Sequence, residues 1–258
     1  MRRLVLIISI ALAALLSAPA QSASWPKPLA EYIPEFDSCI LVYHQEADLL
    51  TVQNPERCAL PLSPCSTYKI PHAMIALDSG VLKDPAHQLP WDGKQRARKA
   101  TNRDHNLATA IRHSVVWYFQ QVAQLIGTQR MQDYLDRLAY GNRDISGGID
   151  RFWLSSSLKI NAYQQLEFLK QLKAGTLPAS SVAQEQVRNM LILNTDVPGM
   201  LRGKTGSCRG NPSDHGWFVG WLTNDDRTTF FVSNIVGKKA WGIKLQRYVY
   251  EILKEMKP

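Results

Sequence analysis

Ser66-Thr67-Tyr68-Lys69 sets a serine hydroxyl and a lysine amine one helical turn apart. On a helix both side chains would lie on one face, where the amine could take the hydroxyl proton and make the oxygen able to attack a carbonyl. The S-x-x-K spacing recurs at Ser24 to Lys27 and Ser156 to Lys159, so context has to decide. Ser66 alone opens an apolar stripe, Ile70, Met74 and Leu77, that ends at Gly80, and the N–H groups of a helix start stabilise developing negative charge. Lys204-Thr205-Gly206 is a second candidate unit. On an edge strand it offers a cation, a hydroxyl and a glycine that lets a ligand approach the backbone, although a plain β-turn has the same composition. Ser114-Val115-Val116 and Tyr140-Gly141-Asn142 are less specific taken singly, since S-x-V also occurs at Ser79 and Ser180. The six histidines show no ligand spacing and are taken as structural or surface groups.

These groups need elements to hold them. Ile40 to Tyr43 and Leu49 to Val52, separated by polar residues, read as two antiparallel strands. Residues 66 to 79 read as a helix, with Pro71 near the start, where its missing N–H is best tolerated. Leu82 to Asn106, with Pro85, Pro90 and Gly93, reads as a long surface connection. Val115, Phe119, Val122 and Ile126 recur at helical spacing up to Gly127, and Met131, Leu135 and Leu138 continue as a shorter helix. A loop at 141 to 151 precedes helices over Ala162 to Leu172 and Val182 to Leu193. Trp217 to Leu222 and Thr228 to Ile235 are strand-like, and Trp241, Leu245, Val249, Ile252 and Met256 mark a closing amphipathic helix. The expected class is α+β: an antiparallel β-sheet built from both chain ends with flanking helices, plus an inserted all-helical region.

The bulk properties agree with a globular protein. The chain has 258 residues, 45% hydrophobic and 20% charged, which excludes disorder and collagen-like repeats. Arg2 and Arg3, the apolar run Leu4 to Leu16 and the small residues around Ala18-Pro19-Ala20 form an export signal, so residues 1–23 are expected to be removed and 24–258 to form the catalytic domain. The run is shorter than the roughly 20 residues a membrane span needs, and no stable membrane anchor is expected. Removing it lowers the formal charge from +8 to +6, because it contains two arginines and no acid. The remaining basic residues are scattered without aromatic interleaving, which speaks against nucleic acid and leaves attraction of a small anionic substrate. Four cysteines, Cys39, Cys58, Cys65 and Cys208, in an exported chain allow three disulfide pairings. Cys65 to Cys208 is the natural bridge if the segments carrying Ser66 and Lys204 face each other. No metal is expected, because paired zinc-ligand spacings are absent from the sequence.

Taken together, Ser66-Thr-Tyr-Lys69, Ser114-Val-Val116, Tyr140-Gly-Asn142, Phe152-Trp153-Leu154 and Lys204-Thr-Gly206 resemble, in order and spacing, the motif set of class D (oxacillinase-type) serine β-lactamases. Penicillin-binding proteins and class A enzymes share S-x-x-K and K-T-G but not the remaining motifs together. The resemblance implies hydrolysis of β-lactams through an acyl-enzyme on Ser66, with Lys69 carboxylated by carbon dioxide or bicarbonate as general base and no other cofactor. It implies Trp153 as the carbamate's hydrogen-bond donor and the N–H groups of Ser66 and Ser207 as oxyanion hole. Ser114 and Lys204 would relay a proton to the leaving nitrogen, and Val116, Tyr140, Thr205, Gly206 and Lys244 would contact substrate. Two departures stand out: Tyr68 replaces the more usual Phe, and the carboxylate-binding arginine is matched only by Lys244, with Arg247 as a rival. Carbapenem-hydrolysing class A enzymes carry a bridge at the same offsets as Cys65 and Cys208, a further resemblance that favours that pairing. A periplasmic monomer or homodimer acting on small β-lactams is the expectation; the rivals are an acylated sensor domain, which does not turn over, and a cell-wall peptidase.

Overall fold

In a computed structural model, residues 31, 33–210 and 213–255 are described; the expected export signal lies outside them. The first strand, β1 (Asp37–His44), turns back into β2 (Leu49–Gln53). Beyond the helical part come β5 (Met200–Cys208), β6 (His215–Asn224) and β7 (Arg227–Val236). All neighbours are antiparallel, and the order β2-β1-β7-β6-β5 places β1 between β2 and the last strand of the chain. Leu41 lies opposite Val232 and Lys204 opposite Val219.

The strands read as nearly continuous apolar runs because both faces of the sheet are covered. With the period of two, Leu41, Trp217, Val219 and Val232 face one core, while Ile40, Val42, Phe218 and Phe231 face the other. The second core is closed by the last helix, α8 (Gly242–Glu255), through Leu245, Val249, Ile252 and Leu253. The first core is closed by the helices between β2 and β5. These are α1 (Pro55–Ala59), α2 (Lys69–Asp78), α3 (Leu107–Arg112), α4 (Val116–Ile126), α5 (Thr128–Arg137), α6 (Ala162–Ala174) and α7 (Ser181–Met190). Asn106 and Asn161 start α3 and α6 with capping boxes that satisfy free backbone N–H groups.

Three local features differ from the expectations. Residues 66–79 do not begin as an α-helix: Cys65–Tyr68 form a 3-10 turn and the α-helix starts only at Lys69. The connection 82–106 contains a small ladder, β3 (Gln88–Leu89) with β4 (His105–Asn106). The short α1 carries Cys58 to Cys39 on β1, and these two are joined with Cα atoms 5.2 Å apart.

Candidate active site

From Ser63 to Ala76 every residue is buried except Ser66. The turn that presents it is held from three sides. Cys65, with φ of 50°, donates its N–H to the carbonyl of Trp153 at 3.0 Å. The carbonyl of Ser63 accepts from the His215 and Trp217 rings at 2.9 and 3.0 Å, tying the turn to β6. Thr67 bonds to the Pro64 carbonyl and receives the Gln165 amide, at 2.8 and 3.0 Å. Gly206 completes the junction: a Cβ there would lie 2.8 Å from the Pro64 carbonyl oxygen, so only glycine lets β5 approach this closely.

β5 is the edge of the sheet. Gly203 donates to Leu191 and Leu201 accepts from Leu193, both at 2.9 Å, so odd-numbered residues of β5 turn their backbone groups to the outer edge. The same alternation aims the N–H of Thr205 and of Ser207 outward beside Ser66. Ser207 itself is exposed, and its Oγ accepts from the N–H of Gly242 at 2.9 Å.

Two lysines face this cleft from below. The Lys69 ammonium, on the first residue of α2, is fully buried and lies 3.0 Å from Ser66 Oγ. Burial, the charge of Lys204 and then that of Arg98 push its pKa well below the usual lysine value, favouring the neutral amine. Among the described residues no ion pair includes Lys69. Lys204 on β5 reaches Ser114 Oγ at 3.1 Å and the Thr205 carbonyl at 2.9 Å. Burial, with Arg98 second, pushes it down to about 7. Ser114 sits in the bend between α3 and α4 at φ 52°, a left-handed conformation that turns its hydroxyl to Lys204. Half-buried Val116 follows at the start of α4. Ser66, Lys69, Ser114, Lys204, Thr205 and Ser207 are thus brought together from three separate segments.

Around Lys69 stands an aromatic cage. Its ammonium lies 5.3 Å from the Phe119 ring, and Tyr68, Phe152 and Trp153 pack ring to ring at 5.0 to 5.7 Å. Tyr68 is fully buried, and its hydroxyl is taken up by Met131 Sδ at 3.1 Å. The indole N–H of Trp153 is buried and unpaired. So are both ring nitrogens of His72, one turn after Lys69 on α2. No signal of ligand spacing marked His72; its separation of three residues from Lys69 was the available clue.

Two expectations are corrected. Tyr140, expected to contact substrate, is buried: only 1% exposed, it packs edge-on against Tyr68 and Phe168, and its hydroxyl donates to Gln165, which in turn holds Thr67. Lys244 has its ammonium over the Phe36 ring at 5.0 Å, in a surface groove shared with Glu35 and Arg247. Arg98, exposed and unmarked by the sequence reading, is the outer cation whose field reaches both site lysines. Of the three possible pairings the structure forms Cys39–Cys58 and Cys65–Cys208. Cys65, Cys208 and His215 cluster within 4.8 Å, but the sulfurs are bonded to each other and His215 serves Ser63.

Known proteins resemble this chain in sequence and fold. Residues 40–254 match the penicillin binding protein transpeptidase domain. Beta-lactamase OXA-48 of Klebsiella pneumoniae is 34% identical over 100% of this chain and 99% of its own length. The solved structure of the class D beta-lactamase BAT-2 superposes with a TM-score of 0.86 at 35% identity, covering 93% of this chain and all of that one. The C-terminal domain of the Bacillus licheniformis BlaR penicillin-receptor superposes at 0.84 with 29% identity, covering 90% of this chain and 96% of that domain. With a buried lysine behind an accessible serine, and relatives of that kind along its whole length, the chain belongs to the penicillin-binding protein transpeptidase family as a class D β-lactamase, a hydrolase of the β-lactam amide.

Proposed function

We propose that the protein hydrolyses β-lactam antibiotics through a covalent acyl-enzyme on Ser66, with Lys69 acting as its carbamate, and so confers resistance. The observation that carries this reading is Lys69: fully buried, without an ion-pair partner among the described residues, 3.0 Å from the nucleophile, and in a cage with an unpaired indole N–H. A neutral amine adds its lone pair to the carbon of carbon dioxide. One C–O π pair moves onto oxygen, the nitrogen loses a proton to water, and a carbamate anion results. The unpaired Trp153 N–H would serve that anion.

In acylation Ser66 Oγ passes its proton to carboxylated Lys69 and attacks the lactam carbonyl. The outward N–H of Ser207 and that of Ser66 hold the oxyanion, where loss of one donor typically costs about 10² to 10³ in rate. Lys69 hands the proton from Ser66 on to Ser114 as Ser114, bonded to Lys204, gives its own to the departing ring nitrogen, so both are reset for the second half. Lys204 and Thr205 take the substrate carboxylate. In the second half, water gives its proton to Lys69 and attacks the ester, and Ser66 regains its hydrogen.

Export by residues 1–23, action of 24–258 as one periplasmic catalytic unit, and a monomer or homodimer without a membrane anchor belong to the same proposal. No helix among the described residues is long and apolar enough to cross a membrane. The likeness to a penicillin-receptor domain gives the alternative a definite form: acylation without release. Following product from a chromogenic cephalosporin separates the two. Sustained turnover, lost on stripping bicarbonate and restored on its return, is expected; a burst of one equivalent sinks the hydrolase reading, and turnover indifferent to bicarbonate sinks the carbamate.

A further inference from the structure

Buried polar atoms normally find partners, because an unpaired one forfeits its hydration for nothing. Beside Lys69 three ring nitrogens break that rule together: Nδ1 and Nε2 of His72 and Nε1 of Trp153. The two rings touch, with centres 5.2 Å apart. His72 is fully buried and also packs against Phe119 at 5.1 Å and Tyr68 at 5.3 Å, and Phe119 is the ring over which the Lys69 nitrogen lies. Lys69 and His72 are three residues apart on α2, hence on one face. Phenylalanine or leucine would fill this volume without stranding two nitrogens. Burial disfavours the charged form of the His72 ring, so the ring contributes one N–H and one lone pair and no second cation.

We propose that His72 is a positioning residue for carboxylated Lys69, its ring N–H serving one carbamate oxygen while the Trp153 N–H serves the other. The inference rests on the carbamate reading above and deepens it. A carbamate offers about four acceptor positions on its two oxygens. Ser66 takes one in the reaction, and the two ring N–H groups account for polar atoms that otherwise have no use in an apolar cage. By this account His72 touches no substrate; it sets how much bicarbonate the enzyme needs to remain active.

The test follows the carbamate carbon by NMR with ¹³C-bicarbonate, in parent, His72→Phe, His72→Leu, His72→Asn and Lys69→Ala, at one fixed pH. Turnover is titrated with bicarbonate in parallel. The two apolar variants should need about ten-fold to a hundred-fold more bicarbonate for half-maximal signal and kcat, the loss of one hydrogen bond to a charged acceptor. Excess bicarbonate should restore kcat, which a merely structural defect would not allow, and His72→Asn, which keeps an N–H, should lie closer to the parent. Making both Phe and Leu keeps a misfit ring from deciding the result, and thermal unfolding identifies any variant that does not fold. If the parent carries the Lys69-dependent signal and the folded apolar variants show the same half-saturation, His72 has no such role. If the parent carries none, the carbamate itself is wrong and this role goes with it.

Discussion

Replacing Cys65 and Cys208 together by alanine should destabilise the protein more than the same change at Cys39 and Cys58. The first bridge closes a loop of 143 residues and the second one of 19. Constraint of the unfolded chain grows with the logarithm of loop length, giving about 5 kcal/mol for the long loop and about 3 kcal/mol for the short one. All four cysteines are buried, so the packing lost is similar in the two double variants and the comparison isolates the loops. For a chain of this size those values correspond to roughly 10–20 °C and about 6–12 °C in Tm. Circular dichroism melts of parent and both variants, without reductant, measure this directly. Activity should respond less. Ser66 and Ser207 each adjoin a bridged cysteine, yet the turn retains its bonds to Trp153, His215 and Trp217, and Ser207 retains that from Gly242. The fall in kcat/KM at 25 °C should therefore stay below the roughly 10²-fold expected for outright loss of an oxyanion donor. A Cys65/Cys208 variant melting within about 3 °C of the parent, or a costlier Cys39/Cys58 variant, would refute the reasoning.

Two further outcomes follow from the site. Lys204 is deprotonated near about 7 when folded, whereas an unfolded lysine keeps its proton to about 10.4. Between those values the unfolded chain binds more protons, so this residue's share of stability rises with pH across that window. Binding of an anionic substrate should weaken across it, and kcat/KM should fall above about pH 7. Arg98→Gln should carry that limb to higher pH, because it removes the second cause of the depression; a limb that stays in place contradicts the assignment. Tyr140→Phe should leave KM unchanged and cost about 1 kcal/mol in urea unfolding, since the hydroxyl bonds to buried Gln165 and Thr67. A raised KM would put Tyr140 back against substrate.

The sheet was legible because strand and closing-helix periodicities are local: β1, β2, β6, β7 and α8 lie where the apolar runs put them. So was the gathering of Ser66 with Lys69 and of Ser114 with Lys204, whose types and spacings mark them in the sequence. What escaped depended on distant packing. The turn at Ser66 is tightened by bonds to Trp153, Trp217 and His215, all far away in sequence. Tyr140 looked like a contact residue because a motif carries no information about which side of a wall it occupies. Lys244 has a side chain drawn to Phe36, a contact between segments far apart in sequence. His72 was silent for a related reason: a histidine becomes informative only when its surroundings are known to be dry.

The strand order has a bearing on how the enzyme comes into being. β1, made early, waits for β7, made nearly last, and the edge strand facing Ser66 is itself held by β6. A nascent or truncated chain ending before Arg227 lacks the strand that joins β1 to β6, so the β1–β2 and β5–β6 hairpins stay unlinked. Such fragments should be inert toward antibiotic, and acylation should switch on late and abruptly, as a single event when the tail docks. Long-range pairing of this kind is slow to nucleate, so docking of the tail would set the pace at which activity appears.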